Sequence, residues 1–564
     1  MWLINTTTLE LEFFVNPEKA SYAILSHTWG DEEVLFQEFR NPDRKNSKYG
    51  FTKIVRTCEI ARQQGLRYAW VDTCCIDKSS SAELSEAINS MFAWYKNSAV
   101  CLAHLEDFPG DVFFEQGLAR CRWLSRGWTL QELIAPQHVE FYDQTWTKRA
   151  TKLDSTKLLA KETGVNERVL ADCAHLAHLS VAQRMSWVSR RQTTRAEDIA
   201  YCMLGMFDIH MPLIYGEGDK AFMRLQEEIA KQTCDLSLFA WTAPPPEPSS
   251  DSHNYRGIFA KSPGEFVDCH RMGSGNRIVP HKEFTITNRG LRIEATLIKL
   301  VEASPDDLVL NLGVFYRGSD EWPIDSGDGW IGIYVRKSIH GYVRVWSHRL
   351  YVSGEHGRMR CPKTMLHICK NIGRYDMELL QRQYARAIQI LSLPADINIS
   401  QAQPSDLWDN QKGLFLDPGS GLNAYFVLTV SANEYHAAFH AVLACSTMGY
   451  PTCVMWSEQD QGWDEVCLFL NQAEEVTDYV CVDYLLRDFV PKKKWKVTAA
   501  TCDFIDRRIG CHITLEARIS RAIVEGSNGF SVELSKRLRK NVLRGNESSA
   551  LPQPAMEMEW SGVD

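Results

Sequence analysis

The sequence predicts an α/β domain built on a parallel sheet, a helical extension, and then a mostly antiparallel β region. Three observations predict it. Strand-like apolar runs alternate four times with helical spacing between residues 21 and 142, and such alternation argues a parallel sheet covered on both faces. From Thr151 the apolar spacing turns helical. After Trp241 the run Ala-Pro-Pro-Pro-Glu-Pro-Ser-Ser-Asp-Ser interrupts the chain, and short strands separated by Gly, Asp and Asn turns follow it.

The first strand is 21–27, closing in Thr28-Trp29-Gly30-Asp31, and 33–39 leads into a helix. Residues 51–65 carry Ile54, Val55, Cys58 and Ala61 at helical spacing, with Gly65 as the cap. Residues 67–72 form the second strand. Its end, Asp72-Thr-Cys-Cys-Ile-Asp77, is a polar loop where open α/β sheets place their ligands. Ser79 to Ser81 offer N-caps to a helix over 82–96, striped by Leu84, Ile88, Met91, Phe92 and Tyr95. Strands at 99–105 and 139–142 complete the set, with a short helix between them over 128–134, ended by Pro136. Helices are expected at 179–189, 195–206 and 220–232, and strands at 283–287, 291–298, 308–315, 330–335, 342–346, 425–430, 496–504 and 511–517. One helix, 377–391, interrupts the strands, and the basic run 536–544 reads as another.

A chain of 564 residues exceeds one ordinary core. The expected domains are an α/β core over 1–150, a helical remainder over 151–242, a β-rich domain over 254–544 and a disordered tail over 545–564. Proteolysis is expected to cut between Ala243 and Tyr255 and leave a folded amino-terminal fragment. A net charge of -9 leaves no electrostatic footprint for nucleic acid. No apolar run reaches the ~18 residues that cross a bilayer, and the amino terminus lacks the pattern of a signal peptide. The 17 cysteines, scattered through apolar runs, read as reduced thiols of a cytoplasmic protein. No internal repeat and no phosphate-binding loop with its lysine is present.

Metal and nucleophile patterns are weak. Cys101-x-x-His104 has ligand-like spacing, but the paired knuckles of zinc sites are missing, so no metal is expected. Cys74, Cys75, Cys101 and Cys121 read as structural thiols. The strongest constellation is Cys121 to Pro136. There Trp128 and Glu132, four apart, share a helix face. Two readings stay open: a core Trp beside a Glu close to the surface, or an aromatic plane beside a carboxylate of a dry site, with its pKa raised or its charge facing a developing cation.

Six blocks in order then carry a resemblance. They are Tyr22-Ala-Ile-Leu-Ser-His-Thr-Trp-Gly-Asp31, Tyr68-Ala-Trp-Val-Asp-Thr-Cys-Cys-Ile-Asp-Lys78, Glu83-Leu-Ser-Glu-Ala-Ile-Asn-Ser-Met91, Trp123-Leu-Ser-Arg-Gly-Trp-Thr-Leu-Gln-Glu-Leu-Ile-Ala-Pro136, Arg195-Ala-Glu-Asp-Ile-Ala-Tyr201 and Leu213-Ile-Tyr-Gly-Glu-Gly-Asp-Lys-Ala-Phe222. Over about residues 1–235 the chain resembles the fungal heterokaryon-incompatibility (HET) domain family. The resemblance implies non-self recognition and regulated cell death, a TIR-like (flavodoxin-like) fold, and the NAD hydrolysis that some TIR domains perform. TIR enzymes carry a Glu in S-x-W-C-x-x-E-L, and Arg126-Gly-Trp-Thr-Leu-Gln-Glu132-Leu keeps the Trp-to-Glu spacing, with Thr129 in place of Cys. It therefore puts the catalytic role on Glu132, stacking on Trp29 or Trp128, and the cleft on Ser26, His27 and Asp72. NAD or a related nucleotide is the expected substrate, with no bound cofactor. A homo-oligomer and an unidentified trigger protein are the expected partners. The rival functions are a non-catalytic signalling module that self-associates, and an enzyme acting on a small molecule in a biosynthetic pathway.

Overall fold

The computed structural model describes residues 1–245, 255–274, 283–300, 308–316, 329–338, 341–353, 358–373, 386–417, 422–432, 437–447, 451–460, 463–464, 466, 499–506, 511–525 and 527–540. The chain divides into two compact units, Met1–Met377 and Glu378–Asp564.

The first unit is organised on a seven-stranded sheet of β1 (Trp2–Asn5), β2 (Leu11–Phe13), β3 (Tyr22–His27), β4 (Tyr68–Trp70), β5 (Val100–His104), β6 (Val139–Tyr142) and β7 (Lys148–Thr151), in the order β2-β1-β4-β3-β5-β6-β7. The four inner strands β4, β3, β5 and β6 are parallel, while β1, β2 and β7 extend the edges antiparallel. Every residue of β3 and β5 is buried, the burial pattern of strands covered on both faces.

Local signals explain the crossovers. Helix α1 (Phe51–Gln63) follows β3 and ends at Gly65, whose φ of +76 suits glycine. Its Ala61 packs with Ala23, Val100, Leu102 and Tyr142. Helix α2 (Ser81–Asn97) follows β4, capped by the Ser80 side chain on the Glu83 N–H. The Tyr95 hydroxyl of α2 donates to the Leu25 carbonyl at 2.8 Å, and the Tyr22 hydroxyl of β3 donates to that of Trp94 at 2.6 Å. Helix α3 (Thr129–Ile134) lies between β5 and β6, with Leu130, Leu133 and Ile134 in the core.

Three elements of this sheet, β1, β2 and β7, are absent from the expected set, because edge strands of three or four residues carry little periodicity. The helices expected at 179–189 and 195–206 are shorter pieces, Val181–Ser186, Asp198–Tyr201 and Leu204–Phe207. Asp208 adopts left-handed backbone (φ 56) at the end of the last of them.

The β-rich residues divide between the units. In the first, a second sheet orders Tyr351–Val352, Trp330–Ser338, Gly341–Arg344, Arg358–Cys369, Gly290–Leu300, Leu308–Tyr316 and Met272–Ser274, mostly antiparallel. Buried contacts join it to what precedes residue 246. Trp241 Nε1 donates to the Ile258 carbonyl at 2.9 Å, and the guanidinium of Arg344, 3.6 Å from the Trp241 ring centre, donates to the Phe239 and Trp241 carbonyls. A protease that cuts between Ala243 and Tyr255 is therefore expected to give two fragments on a denaturing gel and one species by size-exclusion chromatography. Separation of the fragments would show that no core is shared across the cut.

In the second unit, Ile388–Ser392, Leu414–Phe415, Trp408–Asp409, Ser527–Lys540, Cys511–Val524 and Ala499–Asp506 form one sheet, and Ile397–Gln403, Asn423–Ala432, Ala437–Ser446 and Thr452–Ser457 another. Two expected helices are corrected here. Ile388–Ser392 is a strand paired in parallel to Ser527–Lys540, and that long strand also takes in the start of the basic run 536–544. Ladder pairing overrides the helical spacing of both. Residues 377–385 and 541–544 of those two stretches and the tail 545–564 lie outside the described residues.

Candidate functional site

The parallel register sets Ser26 beside Ala103 and His27 beside His104 at the carboxyl ends of β3 and β5. This is where the strand order reverses, the position at which open α/β sheets bind ligands. Asp72 follows β4 there, and Glu132 reaches the same place from α3. The Glu132 side chain is buried, 7% exposed, and its Oε2 accepts from the Ser26 hydroxyl at 2.5 Å. Ser26 in turn accepts from the Trp123 indole N–H at 2.7 Å. Burial raises the Glu132 carboxyl to about 8 against the pull of the Ser26 bond, and the charge of Asp72 adds to the rise. At neutral pH it is mostly a neutral acid.

Beside this acid lies a second, charged cluster. His27 is buried with Nε2 3.6 Å from Glu33 Oε1 and Nδ1 3.8 Å from Asp72 Oδ1. Glu33 also meets the Lys53 ammonium at 2.7 Å and the Gly30 N–H at 2.9 Å. Burial pushes the Glu33 carboxyl up, but His27, Gly30 and Lys53 together hold it down at about 2. Asp72 accepts from the Trp29 indole N–H at 2.8 Å, and the Lys78 ammonium sits 3.5 Å from the centre of the Trp29 ring. Trp29 is 41% exposed, an aromatic face open to solvent at the strand ends. His104 stacks on Trp146 at 4.2 Å, and burial drives it down to about 3, so it is neutral.

Of the residues expected at the site, Ser26 and Glu132 are bonded to each other, and His27, Trp29 and Asp72 are joined through Asp72. Trp128 stands apart: it is half-buried and its side chain bonds Asp198. The Glu close to the surface of the first reading is corrected, since packing of α3 against the sheet buries Glu132. Trp123, Glu33, Lys53, Tyr95 and Arg191 escaped the sequence reading. Trp123 and Arg191 carry no spacing signal toward Glu132, whereas Gly30 to Glu33 is the kind of turn in which a carboxylate returns to a backbone N–H. Among the described residues no group of His, Cys, Asp and Glu is placed to hold a metal ion.

Residues 22–111 match the family model described as Heterokaryon incompatibility protein (HET). The chain carries a HET domain. The match contains Ser26, His27, Trp29, Glu33, Lys53, Asp72 and His104, and ends before Trp123 and Glu132. Residues 220–313 match a Domain of unknown function (DUF8212). The HET-domain chain is 45% identical over 233 residues to Vegetative incompatibility protein HET-E-1 of Podospora anserina, an alignment that covers 40% of this chain and 17% of that protein. No solved structure matches the chain. Among the described residues no helix is long and apolar enough to cross a membrane.

Proposed function

We propose that the chain is an effector of fungal non-self recognition and regulated cell death whose HET domain hydrolyses NAD. The observation that carries this reading is the Glu132 carboxyl bonded to Ser26 at the carboxyl ends of the parallel strands. The inner strand order β4-β3-β5-β6 is that of the first four strands of a flavodoxin-like sheet, which agrees with a TIR-like fold. In the reaction the bond from ribose C1′ to the nicotinamide nitrogen breaks, nicotinamide leaves with the bonding pair, and water adds at C1′ with loss of a proton. The ribose passes through a cation, and an ionised Glu132 facing C1′ stabilises it. Trp29 supplies the stacking face, with His27 and Asp72 beside it. Protomer association and a trigger protein would govern when the site works.

Purified full-length protein incubated with NAD is expected to release free nicotinamide in proportion to protein concentration. No release by the protein at any concentration would sink the enzymatic reading. The second reading, a non-catalytic module that signals by self-association, is favoured by one observation: Glu132 is only 7% exposed. A buried acid of that kind also serves to lock α3 onto β3.

A further inference from the structure

We propose that Arg191 is the positioning residue of the Glu132 site, acting through Thr129 and Trp123 and touching no substrate. The inference rests on Glu132 as the reacting carboxyl only where turnover is concerned; its structural claim stands by itself. Arg191 comes from the helical extension and is 8% exposed. Its Nη1 donates to the Arg126 carbonyl at 2.7 Å and to the Thr129 hydroxyl oxygen at 3.0 Å. The Thr129 hydroxyl donates to the Trp123 carbonyl. The Trp123 indole then donates to Ser26, and Ser26 to Glu132. Hydrogen bonds thus link the guanidinium to the backbone of Trp123 and the indole of the same residue to the acid, with the covalent frame of Trp123 joining the two halves.

The backbone holds this contact in place. Gly127 N–H donates to the Gln192 carbonyl at 2.9 Å, and Gln192 N–H to that of Ser125 at 2.7 Å. A Cβ at Gly127 would lie 2.6 Å from Thr193 Cγ2 and 3.1 Å from Cys202 Sγ, so a side chain there would have to displace both. Arg191 Nη2 is buried with no hydrogen-bond partner, so its donor capacity is not used up by the fold. Lysine would keep the charge but not the placement, because its ammonium sits on a flexible stem without the fixed plane of the guanidinium.

The groups that act on the Glu132 carboxyl are Ser26 on β3, Asp72 after β4, Tyr95 on α2, Cys101 on β5, and Arg191 and Cys202 from the extension. Burial holds Tyr95, Cys101 and Cys202 well above their ordinary ranges, so they are neutral, and Asp72 opposes ionisation of Glu132. Arg191 supplies the positive charge that favours ionisation.

The test reads the titration of Glu132 as the pH-dependent difference in thermal midpoint between a protein and its own Glu132→Gln counterpart. In Arg191→Gln the titration is expected to move up, by less than about 1 pH unit, because a cation that favours ionisation is gone. In Thr129→Val, which keeps the charge and breaks the bonds on both sides of the Thr129 hydroxyl, it is expected to move up by about half a unit as Ser26 loosens. Arg191→Lys is expected to bring the titration back toward the parent and yet leave NAD turnover about tenfold down, as a misplaced site would. An unmoved titration in both Arg191→Gln and Thr129→Val overturns the proposal. Should Arg191→Gln not fold, Thr129→Val decides by the same criterion. If the parent releases no nicotinamide, the NAD reading fails while the titration still decides on Arg191.

Discussion

Glu132→Gln is expected to lose on the order of 10²-fold or more in nicotinamide release, mostly in turnover rather than in substrate affinity. The amide keeps the shape of the side chain and accepts from Ser26, but presents no charge to the ribose cation. Because the acid is held at about 8, the parent's rate should climb with pH as its ionised fraction grows, and level off past about pH 8. The variant should lack that rise. Stability moves the other way. An acid raised from 4.5 to about 8 contributes stability fully below 4.5 and loses it as pH climbs through 8. Glu132→Gln should therefore be about as stable as the parent near pH 5 and the more stable of the two at pH 9. A variant that cleaves NAD as fast as the parent would remove Glu132 from the mechanism.

Lys53→Met is expected to cost about 3 kcal/mol of stability at neutral pH, measured by denaturant unfolding of the first unit. The ammonium and the Glu33 carboxylate are 5% and 6% exposed, so removing one leaves the other buried beside His27 with less compensation. The sign with pH follows from Glu33. Its carboxyl is held from 4.5 down to about 2, so its contribution is present above 4.5 and is lost as pH falls toward 2. Without Lys53 that carboxyl moves back up, and the acid-induced loss should begin at higher pH. The double variant Lys53→Met with Glu33→Gln should recover part of the stability. A loss below about 0.5 kcal/mol would mean that the pair behaves as an exposed one.

The α/β alternation of residues 21–142, the caps at Ser80 and Gly65, and the strand-end placement of Ser26, His27 and Asp72 follow from residue types and spacing alone. Periodicity of apolar residues reports which face of an element is buried, and glycine and serine report where it stops. The same signals misplace the partners of Glu132. Helical spacing puts Trp128 four residues away on a shared face, yet Trp128 pairs with Asp198 while Trp123 reaches the acid through Ser26. A chain of bonds from Arg191 to Thr129, Trp123, Ser26 and Glu132 joins residues up to 165 positions apart, and no local pattern encodes it. The depth of Glu132 was likewise decided by the sheet beneath α3, since an amphipathic turn looks the same whether its polar face meets water or another strand. Residues 388–392 show the same limit in the second unit, where pairing with Ser527–Lys540 outweighs helical spacing. Spacing along the chain is a property of one element. The ionisation of a buried acid belongs to everything packed around it, and only the folded chain brings those groups together.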